Sequence, residues 1–163
     1  MKLQKICIIG EGLAGLTTTA VLSKQNVSID FYSGTNKKNL SLDKRTTAIS
    51  ESNFQYIKKE LNLNKNSFFW ACKKINLFFE DEKKIINFLN FNEKDKNFMY
   101  IFQNKDLRKK LKKKIFLKKN IKLINKSVEE INSDDSSIII NKKKKFYDLI
   151  ILSTGSLSKF YSK

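Results

Sequence analysis

Ile6-Cys7-Ile8-Ile9-Gly10-Glu11-Gly12-Leu13-Ala14-Gly15 is an apolar run that ends in a glycine turn. Lys5 to Ile9 reads as a buried strand. From about Leu13 to Gln25 the apolar side chains, Leu16, Ala20 and Leu22 among them, suit a helix. A G-x-G-x-x-G turn between strand and helix has a physical purpose. Gly10 permits the tight turn, Gly12 lets a pyrophosphate reach the backbone with no Cβ in the way, and Gly15 lets the helix pack closely on the strand. The free N–H groups at the helix start, around Leu13 and Ala14, and the helix dipole favour the phosphate charge. Asn26 suits the turn that ends the helix, and Val27 to Tyr32 is the next strand. The result is a β-α-β unit, which predicts parallel strands and a right-handed crossover. An acidic residue at the end of the second strand normally grips a ribose diol. Ser33 stands there, and its hydroxyl offers a neutral hydrogen bond, roughly half as strong as a charge-assisted one. Asp30 lies on the opposite side of the strand and would substitute only through a shifted register.

Beyond this unit the polar stretch Ser33 to Asp43 reads as a loop. Thr47 to about Leu61 has helical periodicity, with Ile49, Phe54, Ile57 and Leu61 as core candidates. From Lys73 to Phe102 short apolar runs are separated by polar turns such as Glu80-Asp81-Glu82, which predicts an antiparallel sheet with Trp70 near its entrance. Asp106 to Ile115 returns to helix on a Leu107, Leu111, Ile115 stripe. Ile121 to Ile124, Val128 to Ile131, Ser137 to Ile140 and Phe146 to Ser153 read as strands, and Lys142 to Lys145 as a turn.

At 163 residues the chain is long enough for a compact core, and 40% hydrophobic content makes it globular. No apolar run approaches the ~20 residues of a membrane span, and the glycine turn replaces any signal-peptide cleavage site. Cys7 and Cys72 belong to no C-x-x-C pair, and two lone thiols point to a reducing cytoplasm. The net charge is +17, yet all of the 33 basic residues except Arg45 and Arg108 are lysine. Arginine is the residue suited to bidentate recognition of bases and phosphates. The lysines therefore read as solvated faces and no nucleic-acid partner is expected, although a basic surface is attracted to anionic lipid headgroups. With no His, a Ser-His or Cys-His nucleophile and a His-containing metal site are both excluded, and no metal is expected. Chemistry here would rest mainly on a cofactor.

Three segments carry a family resemblance. Leu42-Asp43-Lys44-Arg45-Thr46-Thr47-Ala48-Ile49-Ser50 resembles the D-x-R-x-x-A-L-S segment of UbiH-type hydroxylases of ubiquinone biosynthesis, which have the p-hydroxybenzoate hydroxylase fold. Tyr100-Ile101-Phe102-Gln103-Asn104-Lys105-Asp106-Leu107 is similar to that family's Y-x-x-x-N-x-x-L junction. The segment Tyr147 to Ser158 is similar to its D-L-[IV]-[IV]-x-A-D-G-x-x-S segment, with Thr154 in place of the Asp before Gly155.

The resemblance implies an α/β fold: a Rossmann-like FAD-binding domain with a parallel sheet, spanning 1–68 and 104–163, and a small antiparallel β insertion over 69–103 that supplies one wall of a substrate pocket. It implies FAD held by Gly10, Gly12, Leu13, Ala14 and Gly15, with Ser33, Arg45, Gln103 and Gly155 assisting and no catalytic side chain. NAD(P)H would be the reductant, and O₂-dependent hydroxylation of a quinone precursor the reaction. Family members are much longer, so the chain is expected to be an N-terminal portion. Its partners would be the quinone precursor or a missing C-terminal half, with the protein cytoplasmic or peripheral at the inner face of the membrane, in contact with a ubiquinone-biosynthesis complex. Two other outcomes stay open: a non-catalytic remnant or assembly subunit that has lost flavin, and an FAD oxidoreductase that does not hydroxylate.

Overall fold

The computed structural model describes residues 3–34, 43–62, 68–81, 84–92, 96–155 and 160. Leu42, Ser156, Leu157 and Ser158 of the family-like segments, and most of the polar stretch after Ser33, lie outside them. By compactness the chain divides into one unit of Met1–Asp43 with Leu107–Lys163 and another of Lys44–Asp106. The expected insert over 69–103 lies wholly within the second.

The first unit is built on a parallel sheet. β1 (Gln4–Ile9) leads through the turn to α1 (Leu13–Leu22) and back to β2 (Val27–Tyr32). β8 (Ile121–Ile124) and β12 (Leu149–Leu152) complete the order β12-β1-β2-β8, with every pair parallel. β1 is buried because its residues alternate between two packed faces. Cys7 and Ile9 join a core with Tyr32, Val128, Ile138, Ile140 and Tyr147, while Ile6 and Ile8 are buried on the other side, where α1 lies against β1 and β2. α1 is shorter than expected. Past Leu22 the chain continues in turns, with the Lys24 N–H donating to the Val21 carbonyl and the Gln25 N–H to that of Leu22.

An antiparallel meander of β9 (Glu130–Asn132), β10 (Ser137–Ile140) and β11 (Lys143–Phe146) intervenes before β12. Its last strand corrects an expectation: most of the lysine run is strand, not turn. The turn is confined to Asn141 and Lys142, at φ 49° and 61°. Two successive positive φ values match the twist of a two-residue hairpin, and the Glu129 carboxylate holds the Asn141 N–H at 2.6 Å.

In the second unit β3 (Thr46–Ser50), β7 (Met99–Gln103) and β4 (Phe69–Cys72) form an antiparallel sheet in the order β3-β7-β4. Here too the structure differs from the sequence reading: Thr47–Ser50 is strand, and α2 spans only Glu51–Leu61. Thr46, Thr47 and Ile49 are β-branched and suit a pleated surface. Ser50 then caps α2, accepting the Asn53 N–H. Phe54 stacks on Tyr100 at 3.7 Å between centroids and meets Phe69 edge-on. β5 (Lys74–Asp81) and β6 (Lys84–Asn92) form a separate hairpin whose Phe78, Phe79, Ile85 and Phe88 are all more than half exposed. Helix α3 (Asn104–Phe116) starts at the end of this unit, and its remaining turns belong to the first, where Leu107, Leu111 and Ile115, the expected stripe, are buried. Among the described residues no helix is long and apolar enough to cross a membrane.

Candidate functional site

The glycine turn lies at the carboxyl ends of β1 and β12, where the chain leaves β1 toward β2 on one side and returns through β12 on the other. Such a switch point opens a crevice. The Ser153 N–H donates to the Ile9 carbonyl at 2.8 Å and the Gly10 N–H to the Tyr32 carbonyl at 2.9 Å, tying the turn to both neighbouring strands. Gly10 has φ +116°, and a Cβ there would overlap the Ser153 carbonyl. A Cβ on Gly15 would overlap the Gly10 carbonyl, so its absence lets helix and turn touch. Gly12 is different: a Cβ there would meet only the Ser153 oxygen at an ordinary 3.7 Å. Among the described residues nothing else stands within 4 Å of that position, and its open side is where a ligand can approach the backbone.

Gly12 is also the N-cap of α1. No side chain caps the helix and no acidic residue occupies its first turn. By contrast, Ser50 caps α2, and α2 and α3 carry Glu51 and Asp106 in their first turns. The N-terminal N–H groups of α1 around Leu13 and Ala14 are thus left for an external acceptor. Glu11, in the middle of the turn, would repel an anion if left alone. Lys112 of α3 pairs with its carboxylate and Arg108 stands 3.9 Å away. Burial holds the Lys112 ammonium below its ordinary pKa.

Ser33 follows β2. Its hydroxyl donates to the Asn125 side-chain oxygen at 2.7 Å, and its N–H to the Ile124 carbonyl at 3.2 Å. Gly10, Ser33 and Thr154 line one cleft of about 230 Å³, with Lys126 and Val128. The Thr154 hydroxyl is buried and finds no hydrogen-bond partner among the described residues. Gly155, at φ +78°, has open space around its Cα.

Asp30 does not substitute for the missing ribose acid. It is buried and accepts the Tyr147 hydroxyl at 2.7 Å, and the Tyr147 hydroxyl is itself 2.7 Å from that of Tyr32. Burial pushes the Tyr32 phenol up to about 12 and raises Tyr147 as well. It also lifts the Cys7 thiol to about 12, with the Asp30 charge adding to the effect.

Arg45 and Gln103 belong to the second unit. Thr46, the residue after Arg45, pairs with Gln103 in the β3–β7 ladder, and the Asn104 N–H donates to the Arg45 carbonyl at 3.0 Å. These two candidates are therefore close to each other. Gly10, Gly12, Gly15, Ser33 and Gly155 are gathered in the first unit. Sequence reasoning did not single out Glu11 with its two cations, Asn125 or Lys126. Only the fold brings α3 and the end of β8 to the turn, and no local pattern marks them.

No protein-family model matches the chain, and no curated protein does. Solved structures do match in fold. The p-nitrophenol 4-monooxygenase PnpA from Pseudomonas putida DLL-E4 superposes with a TM-score of 0.72 at 16% identity, over 99% of this chain and 43% of that one. FqzB gives 0.73 at 16%, over 96% and 37%. CtdE, solved in complex with FAD, gives 0.69 at 17%, over 98% and 40%. The chain thus spans about two-fifths of the length of each. At these identities the likeness is one of fold, and the mixed α/β architecture with a parallel sheet and small antiparallel sheets is that of FAD-binding monooxygenases.

Proposed function

We propose that this chain is the FAD-binding part of a flavoprotein that hydroxylates an aromatic ring, with a quinone precursor of ubiquinone biosynthesis as substrate and NAD(P)H as reductant. One observation carries the reading: an uncapped helix N-terminus behind a positive-φ glycine opens at the switch point of a parallel sheet. The residues present fit the cofactor. The N–H groups at Leu13 and Ala14 would donate to the pyrophosphate, and Gly12 leaves room for it. Glu11 is held by Lys112 and Arg108, which offsets its repulsion of the diphosphate. Ser33 would face the ribose, and the buried Thr154 hydroxyl supplies a polar atom still open to a partner. Gly155 leaves its backbone open. Bound FAD would supply the redox chemistry, accepting electrons from the nicotinamide and passing them to O₂. The protein's part is to bind, orient and shield, and no side chain is assigned as acid or base. The net charge of +17 supports attachment to an anionic membrane face and, through it, to a lipid-soluble substrate.

A second reading is a flavin-free relative of the same fold, favoured by the engagement of Ser33 with Asn125 where an acid would grip the ribose. Titration of the purified chain with FAD separates the two. Stoichiometric binding with a perturbed flavin spectrum is expected. A colourless protein that ignores added FAD overturns the first reading and leaves the second.

A further inference from the structure

Tyr32 and Lys126 line a second and larger cavity besides the glycine-turn cleft. It lies between the edge strand β8 and the β10–β11 hairpin and measures about 560 Å³, inside the range of roughly 300–1,000 Å³ typical of small-ligand sites. We propose that this cavity binds a small soluble phosphate ester, of about mononucleotide size, independently of the glycine turn.

Its lining has the composition such a ligand needs. Lys122, Lys126, Lys143 and Lys145 converge on it, and none of the described residues lining it is acidic. Lys143 and Lys145 face it together because alternate residues of β11 share a side. Lys144, between them, points away and pairs with Asp135. Among the described residues no carboxylate pairs with Lys122, Lys126 or Lys143. Lys145 is tethered, its ammonium 3.4 Å from the buried Tyr32 hydroxyl and 4.0 Å from Asp30. That anchors one cation in place before any ligand arrives, which lowers the ordering cost of binding.

The walls are not those of a solvated lysine face. Leu123, Ile124 and Ile140 line it together with the lysines, and Tyr32, itself almost wholly buried, stands behind them. The lysines of α3 offer the comparison: Lys109, Lys110, Lys113 and Lys114 are as dense in sequence but line neither cavity. Charge alone therefore does not explain the cleft. A ring or sugar on the apolar floor with its phosphate among the ammonium groups does.

The test is a titration of the ¹⁵N-labelled full chain with inorganic pyrophosphate and, separately, ribose 5-phosphate, followed by amide shifts. Saturable shifts are expected over residues 122–126 and 140–145. In Lys122→Gln/Lys143→Gln the apparent affinity at those residues should fall roughly tenfold or more, with all other resonances unmoved. Neither lysine lines the glycine-turn cleft, so FAD titration of the same variant should match the unsubstituted chain. Shifts confined to Gly10–Gly15, unchanged affinity in the variant, or no saturation would overturn the proposal. So would binding that strengthens with oligonucleotide length, which would mark a nucleic-acid surface instead.

Discussion

A methyl group at Gly10 would press into the Ser153 carbonyl while the backbone sits at φ +116°, whereas the same group at Gly12 would meet nothing closer than 3.7 Å. The two glycines of one motif therefore separate stability from ligand binding. Gly10→Ala is expected to destabilise the fold by ~2 kcal/mol or more, through steric overlap and strain at a left-handed position. Gly12→Ala should leave the melting temperature nearly unchanged but weaken FAD binding, measured by flavin fluorescence. Equal loss of stability in both variants would remove the ligand argument for Gly12. The glycines were legible in the sequence because spacing alone reveals them. Thr154 was legible only as a departure from a pattern; its orphaned hydroxyl is visible only in three dimensions.

The buried phenols and thiol give a pH signature. In the folded protein Tyr32 and Cys7 are both raised to about 12, from ordinary values of 10.0 and 9.0, chiefly by burial. Both groups are neutral when protonated, so the folded state holds its protons where the unfolded chain would lose them. Their contribution to stability is complete below about pH 9 and is lost as pH rises toward 12. Tyrosinate absorbance should show Tyr32 and Tyr147 ionising only together with unfolding. A free titration of all tyrosines near pH 10 in the folded protein would contradict this burial.

Among the elements, β3 shows why part of the chain was misread. Apolar residues from Ile49 to Leu61 have helical spacing, and that spacing says nothing about where a helix begins. The boundary is set by Ser50, whose hydroxyl accepts the Asn53 N–H, and by the β7 ladder, whose partners lie some fifty residues away. Ser50→Ala should cost about 1 kcal/mol through loss of the cap, measured by chemical denaturation; no change would mean that the ladder alone fixes the boundary. The lysine run 142–145 misled for a related reason. Charge suggests a turn, but Lys143–Phe146 pairs with β10 and directs its charges to solvent and the basic cleft.

The β5–β6 hairpin was readable from its apolar runs, but its exposure was not. Phe78 and Phe88 are 58% and 60% exposed, and such a surface invites association. Phe78→Lys/Phe88→Lys should reduce aggregation and hydrophobic-dye binding with no loss of thermal stability. A drop in melting temperature would show instead that the two rings are packed.

At the scale of the whole molecule, the parallel sheet was foreseeable from a strand, a glycine turn, a helix and a second strand. The strands that complete it, β8 and β12, were readable as short apolar runs, but their place beside β2 and β1 was not. What sequence could not supply was the convergence of distant charges: Glu11 with Lys112 and Arg108, and Lys122 with Lys143 and Lys145. Lysine is common throughout the chain, and in one dimension a cleft and a solvated face look the same.

β12 is separated from β1 by most of the described chain, yet it lies beside β1 and its Ser153 bonds to Ile9. A growing chain that has already made the glycine motif therefore lacks the carbonyl beside Gly10 until Ser153 follows. The shape of the turn is complete only once that distant strand has reached the first one.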